Sequence, residues 1–174
     1  RDLVRSRGLG DVYKRQDFIF GFNNQFGYKN FDLSIFFQGS YGNDIWNGVR
    51  VSHEGMESTY NQFTSTLNRW NGEGSSNTMP RAIYADPNRN NRASTRWVED
   101  GSYLRLKNLT FGYRFTQDWL KKIGAKSLRL YLSFDNLWTL TNYSGLDPEV
   151  GLWGLDYGIY PTSRVYMFGA SVKF

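Results

Sequence analysis

Five stretches of this chain alternate apolar and polar residues with a period of two, and this alternation limits the fold more than any other feature. A period of two puts successive side chains on opposite faces of a β-strand. In DFIFGFNNQFGYKN, Phe18, Phe20, Phe22, Phe26 and Tyr28 share one face, and Ile19, Gly21, Asn23, Gln25 and Gly27 share the other. FDLSIFFQGSYG follows, with Phe31, Leu33, Ile35 and Phe37 against Asp32, Ser34, Phe36, Gln38 and Ser40. Only Lys29 and Asn30 separate the two, which predicts a tight hairpin. In GSYLRLKNLTFGYRFT, Leu104 and Leu106 are in even phase but Leu109, Phe111, Tyr113 and Phe115 are in odd phase. One skipped residue near Lys107–Asn108 keeps a single face apolar, so a β-bulge is predicted there. SLRLYLSFDNLWTLT sets Leu128, Leu130, Leu132 and Phe134 against Arg129, Tyr131, Ser133 and Asp135, and RVYMFGASVKF closes the chain. Strands are expected over 17–28, 30–41, 101–116, 126–141 and 163–174, paired as an all-β antiparallel meander.

The connections alternate in length. A two-residue turn is followed by a long segment, about 42 to 99, then by the compact turn QDWLKKIGAK, then by a second long segment, about 142 to 162. A loop of the first size is unusual in a compact soluble domain. Short turns at one end and long loops at the other are the pattern of an outer-membrane barrel. Within the first long loop, Tyr60, Phe63, Leu67 and Trp70 fall at helical spacing before NGEG, which predicts a short helix.

Charge excludes one class of partner. The first sixteen residues hold five of the 21 basic and two of the 16 acidic residues, leaving a nearly balanced 16 and 14. With no basic stripe in the body of the chain, no nucleic-acid partner is expected. Residues 1–16 have no apolar core of a secretory signal. DVYKRQ resembles the translation of a sequencing-library adapter, so 1–16 is expected to be a non-native, disordered tail.

Alternation alone fits a soluble sandwich or a membrane barrel. The apolar faces are rich in Phe, Leu and Tyr, and Tyr28, Tyr41, Tyr103, Tyr143 and Tyr166 stand near strand ends, as interfacial girdles would. Asp32, Gln38, Arg114, Arg129 and Asp135 would then face a polar lumen. The alternative is a secreted, soluble β-sheet carbohydrate-binding module with loop aromatics as a sugar platform. The last strand carries Tyr166 and Phe168 and stops on Phe174, which resembles the terminal signal read by the barrel-assembly machinery.

Four longer motifs occur in order: FFQGSYGNDIWNGVR, TRWVEDGSYLRLKNLTFGYRF, LRLYLSFDNLWTLTNYSGLDPEV and DYGIYPTSRVYMFGASVKF. Together they resemble the C-terminal end of the SusC/RagA family of TonB-linked outer-membrane proteins, over essentially all of 17–174. The resemblance implies a bacterial outer-membrane location and a barrel of roughly 22 strands around a plug. It also implies import of large nutrients such as glycan oligosaccharides or peptides, a SusD-like surface lipoprotein as lid, and TonB–ExbB–ExbD as energy source. By this reading 17–174 is the last five or so strands with long extracellular loops, a fragment unable to transport alone.

Exposed aromatics are the candidate substrate contacts, because an aromatic face stacks on sugar rings and anchors interfaces. Trp46, Trp70, Trp153, Tyr157 and Tyr160 lie in or beside the long loops, while Trp97, abutting VEDGSYLRLKN, reads as structural. DPNRNNR spaces Asp86, Asn88 and Asn90 as an EF-hand loop begins, but its sixth position is Asn91 and its twelfth Trp97, so an Asx-rich turn is expected and no metal. Asp147 and Glu149 in GLDPEV read as a rigid turn rather than an acid–base pair. One His, no Cys and no G-x-S-x-G leave no usual nucleophilic triad, so neither catalysis nor a cofactor is expected.

Overall fold

A computed structural model describes residues 16–151 and 153–174. The expected tail over 1–16 therefore lies, apart from Gln16, outside the described residues. In chain order the elements are β1 (Phe18–Tyr28), β2 (Phe31–Tyr41), β3 (Asp44–Asn47), α1 (Gly48–Glu54), β4 (Val98–Asp100), β5 (Tyr103–Phe115), β6 (Ser127–Thr141), β7 (Leu155–Asp156) and β8 (Val165–Lys173). Short 3-10 turns cover Thr64–Asn68, Thr95–Trp97 and Asp118–Ile123. The chain divides into two units: a strand unit of Gln16–Gly42, Ser102–Asn142 and Pro161–Phe174, and a loop unit that includes Asn43–Gly101 and Tyr143–Tyr160.

The strand unit is one antiparallel sheet in the order β1-β2-β5-β6-β8, the expected meander. β1 and β2 turn back through Lys29 and Asn30, with Lys29 at φ 53°. The predicted bulge is present. Phe36 opposes Asn108 and Phe37 opposes Leu106, so Lys107 is the extra residue on β5. β6 departs further at the same level: Asn108 opposes Asp135 and Leu106 opposes Trp138, leaving Asn136 and Leu137 across from Lys107 alone. Relative to β2, β6 thus carries two additional residues. One insertion flips the phase of a strand and two restore it, so Phe134, Trp138 and Leu140 stay on one face. Asn136 turns this corner at φ 52°, a conformation Asn tolerates better than most side chains. Its amide donates to the Ser163 carbonyl at 3.0 Å.

The two faces differ in chemistry. On the polar face, Arg129 Nε donates to Asp32 Oδ1 at 2.9 Å and Nη2 bonds the second carboxylate oxygen. Gly112 lies between them; a Cβ there would come within 2.6 Å of the Asp32 carboxylate and 2.7 Å of Arg129 Nη2. Asn108 Nδ2 donates to Asp135 Oδ1 at 2.7 Å, and the Thr110 and Ser133 hydroxyls bond at 2.8 Å. On the other face, Phe18, Phe22, Phe26, Phe111, Leu132, Phe168 and Val172 are exposed. Neighbouring rings pair within the sheet, Phe31 on Phe111 at 5.6 Å and Phe134 on Tyr166 at 5.7 Å, and these rings remain open to their surroundings. A soluble monomer rarely leaves a contiguous apolar face of this kind bare.

Three expectations need correction. The segment over 60–70 forms no α-helix, only the 3-10 turn Thr64–Asn68. Thr66 Oγ1 donates to the Phe63 carbonyl at 2.7 Å, so short hydroxyl side chains compete for the backbone groups that a helix would use. The α-helix is instead α1, capped by Asn47 Oδ1, which accepts from Arg50 N at 3.0 Å. The long connections also carry a second sheet, β4-β3-β7, in which β3 and β7 run parallel, so the chain is not antiparallel throughout. Of the five girdle tyrosines, Tyr28, Tyr41 and Tyr166 are exposed, whereas Tyr103 and Tyr143 are buried.

Candidate functional site

The loop unit is built around β3. Ile45 and Trp97 are fully buried and Trp46 is 6% exposed, giving a small core around β3, the central strand between β4 and β7. A polar cluster ties the two long connections together beside it. Glu99 Oε1 accepts from Arg50 Nη1 at 2.8 Å, Asn47 Nδ2 at 3.1 Å and Ser144 Oγ at 2.9 Å, while Oε2 accepts from Ser144 N at 2.9 Å. Arg50 Nε also donates to Glu54 Oε2 at 3.0 Å, and Ser65 Oγ donates to Glu54 Oε1 at 2.8 Å. The Tyr143 hydroxyl donates to Asp156 Oδ2 at 2.6 Å, and Asp156 Oδ1 accepts from Gly158 N and Ile159 N.

Burial alone would push the Glu99 carboxyl up, but the bonds from Arg50 and Ser144 outweigh it and hold it below its ordinary value. Burial likewise works against the Arg50 charge, and its two carboxylate partners more than offset that. Burial, then the bond to Asp156, raises Tyr143 well above the usual phenol range. The sign for Glu99 follows. A depressed folded pKa contributes stability that is complete above the unfolded value, near 4.5, and is lost as pH falls through the folded value. Protection of loop-unit amides, taken relative to their intrinsic exchange rate at each pH, should therefore hold above pH 4.5 and fall below it. Glu99→Gln should abolish that step; an unchanged step in the variant would contradict the assignment to Glu99.

The candidate aromatics separate. Trp46 is in the core, and its ring is not available for stacking. Trp97 is structural: its Nε1 donates to the Arg92 carbonyl at 3.2 Å and the Arg96 guanidinium rests over its ring at 4.4 Å. Trp153, Tyr157 and Tyr160 are exposed along the single connection that contains β7, with Tyr160 at 89%. Trp70 lies elsewhere in the loop unit, on the rim of an open cavity of about 660 Å³. Arg81 and Arg96 also line that cavity, and no aromatic periodicity could have pointed to them.

Other singled-out residues have structural roles. Asp86 Oδ2 accepts from Asn91 N, five residues on, at 2.6 Å, and its carbonyl accepts from Arg89 N at 2.8 Å, so DPNRNNR folds as a turn closed by the backbone and the Asp86 side chain. Asp147 Oδ1 accepts from Glu149 N at 2.9 Å, again a turn. His53 Nδ1 bonds the Val49 carbonyl and its ring stacks on Phe63 at 5.0 Å. Tyr166 and Phe168 project from the apolar face of β8, and Lys126 Nζ donates to the Phe174 carbonyl at 3.2 Å.

Comparison with known proteins shows what the chain is similar to. The TonB-dependent receptor P3 of Formosa agariphila is 40% identical over 169 residues, covering 91% of this chain and 16% of that protein. The TonB-dependent receptor SusC of Bacteroides thetaiotaomicron is 29% identical over 170 residues, 94% of this chain. The chain is a relative of the SusC-type TonB-dependent receptors. Its fold agrees: a structure of the RagAB peptide transporter superposes with a TM-score of 0.77 at 28% identity, over 88% of this chain and 17% of that one. No family model matches the sequence. The chain spans about one-sixth of the length of the curated relatives it matches. SusC-type receptors are outer-membrane barrel proteins rather than enzymes, and the five-stranded meander corresponds to barrel wall.

Proposed function

We propose that this chain is wall and loop of a SusC-like importer that carries large nutrients, glycan oligosaccharides or peptides, across the bacterial outer membrane. The observation that carries this reading is the bare apolar face of the meander, opposite a face of bonded polar groups. Hydrocarbon satisfies the first and a water-filled or plugged lumen satisfies the second. A secreted carbohydrate-binding module would need a second layer over Phe22, Phe26, Phe111 and Phe168. Among the described residues Phe22, Phe26, Phe111 and Phe168 are exposed.

In this account the two long connections face the outside of the cell, where a SusD-like lipoprotein closes over them. TonB–ExbB–ExbD energises the receptor through regions beyond this chain, and Tyr166, Phe168 and Phe174 are read by the barrel-assembly machinery. By itself the five-stranded piece leaves β1 and β8 each paired on one edge only, so it forms no closed pore and transports nothing. Trp153, Tyr157 and Tyr160 are the substrate contacts, since their rings are exposed and close in sequence.

The test replaces all three with Ala in the full-length receptor that carries this chain. Being exposed, they contribute little to stability, so the amount of folded barrel on unboiled gels should not change. Receptor-dependent, TonB-dependent uptake should fall about tenfold or more, as expected when aromatic anchors are removed. Unchanged uptake would remove these residues from the substrate path.

A further inference from the structure

The cavity beside Trp70 differs in chemistry from the aromatic strip around β7. Between residues 60 and 98 the chain carries five arginines, Arg69, Arg81, Arg89, Arg92 and Arg96, against two carboxylates, Glu73 and Asp86. Asp86 is occupied in its own turn, accepting from Asn91 N. The cavity, about 660 Å³, is lined by Arg81 and Arg96 and, among the described residues, by no Asp or Glu. Asn77, Asn88 and Asn90 add amide donors and acceptors to its wall, and Trp70 adds an aromatic face.

Among the described residues neither guanidinium group has a carboxylate within ion-pair distance. Arg81 rests over the Trp70 ring at 6.0 Å and Arg96 over the Trp97 ring at 4.4 Å. At 4.4 Å the Arg96 guanidinium is in close cation–π contact and keeps N–H groups able to meet another acceptor, whereas Arg81, at 6.0 Å, is in long-range cation–π contact only. Burial disfavours the Arg96 charge, and the carboxylate that supports it, Glu54, is already bonded to Arg50 and Ser65. An entering anion would therefore gain two poorly compensated cations. The loop framing the site is tied back on itself: Trp70 N donates to the Met79 carbonyl at 3.1 Å, Asn71 N to Ser75 Oγ at 2.9 Å and Met79 N to Ser76 Oγ at 3.2 Å.

We infer that this cavity is a subsite for an anionic sugar, with Arg81 and Arg96 taking a carboxylate or sulfate group, Trp70 stacking on the ring and the Asn77, Asn88 and Asn90 amides meeting its hydroxyls. The inference rests on the importer reading above and narrows its substrate to acidic glycan. A glycan suits the site better than an acidic peptide. Side-chain amides beside an indole match closely spaced hydroxyls on a flat ring, whereas peptides are commonly held by strand pairing or apolar side-chain pockets.

The experiment uses the full-length receptor in detergent and titrates four probes of similar length by calorimetry: oligogalacturonate, a sulfated galactan oligomer, neutral galactan oligomer and oligoglutamate. At least one anionic glycan should bind at least tenfold more tightly than neutral galactan, with affinity falling as salt rises. Arg81→Gln with Arg96→Gln should remove that advantage, and Trp70→Ala should weaken anionic and neutral oligomers alike. Arm by arm, oligogalacturonate alone preferred assigns a carboxylate and sulfated galactan alone a sulfate. The inference is overturned if neutral galactan binds as well as both anionic glycans, if oligoglutamate binds best, or if the double Gln variant binds like the parent. TonB-dependent uptake that persists while the charge preference is absent would defeat the subsite and leave the importer standing. Absence of any TonB-dependent uptake would defeat the importer itself.

Discussion

Trp97→Ala should destabilise the loop unit by about 3–5 kcal/mol, the cost of emptying a fully buried large aromatic site. Trp97 is 0% exposed. Its loss removes the surface on which Arg96 rests, at 4.4 Å, and the donor to the Arg92 carbonyl. It also removes the residue that leads directly into β4, where Val98 pairs with Trp46 of β3. The collapse should stay local, because the strand unit has its own ladders through β1, β2, β5, β6 and β8. Hydrogen exchange should report at least a hundredfold loss of protection across 44–54 and 98–100. Protection across 103–115 and 127–135 should be retained. Trp97→Phe, which keeps most of the volume, should lose much less. Unchanged protection in the Ala variant would show that the loop unit is held by Glu99 and its partners rather than by its small core.

Phe22→Arg and Asn23→Arg should differ by about 2–4 kcal/mol in the full-length receptor, although they are neighbours in β1 and both exposed. Phe22 is 60% exposed and lies across from Phe37 on the apolar face. Asn23 lies across from Phe36 on the other face, where Gly21, Gln25 and Gln38 give a polar surrounding. If the apolar face meets hydrocarbon, an Arg at 22 is carried into a medium that cannot solvate it, while an Arg at 23 finds water or polar plug groups. Folded, heat-modifiable barrel on unboiled gels should drop for Phe22→Arg and hold for Asn23→Arg. In a soluble sheet, equal exposure would make both substitutions nearly neutral.

The strand unit was legible because alternation is a local signal that a single face reinforces over many residues. The bulge at Lys107 could be read because one extra residue moves Leu109 and Phe111 into the opposite phase from Leu104 and Leu106. The larger irregularity in β6 was hidden because two extra residues, Asn136 and Leu137, leave Phe134 and Trp138 in the same phase. The loop unit was poorly legible for a different reason. Its strands are two to four residues long and join segments far apart in sequence, as when Asn47 pairs with Asp156. No periodicity can establish itself over that length. α1 did carry a start and a stop, with Asn47 as cap and Gly55 as end, but seven residues are too few for an apolar stripe. Burial separated residues that composition could not. Trp46 and Trp153 both stand next to Asn or Gly, yet the first is in the core and the second is exposed. Arg81 and Arg96 gave no sequence signal because their significance comes from the cavity that they share and from the missing carboxylates around it.

In the proposed importer the aromatic face of this sheet lies against lipid. Spin labels placed singly at position 22 and at position 23 of the receptor, reconstituted in bilayers, test it most directly by collision with oxygen, which concentrates in hydrocarbon, and with a water-soluble nickel chelate. The label at 22 should meet oxygen and be shielded from nickel, and the label at 23 should show the reverse preference. Ready access of nickel to both positions would place both faces in water and contradict the membrane-spanning account.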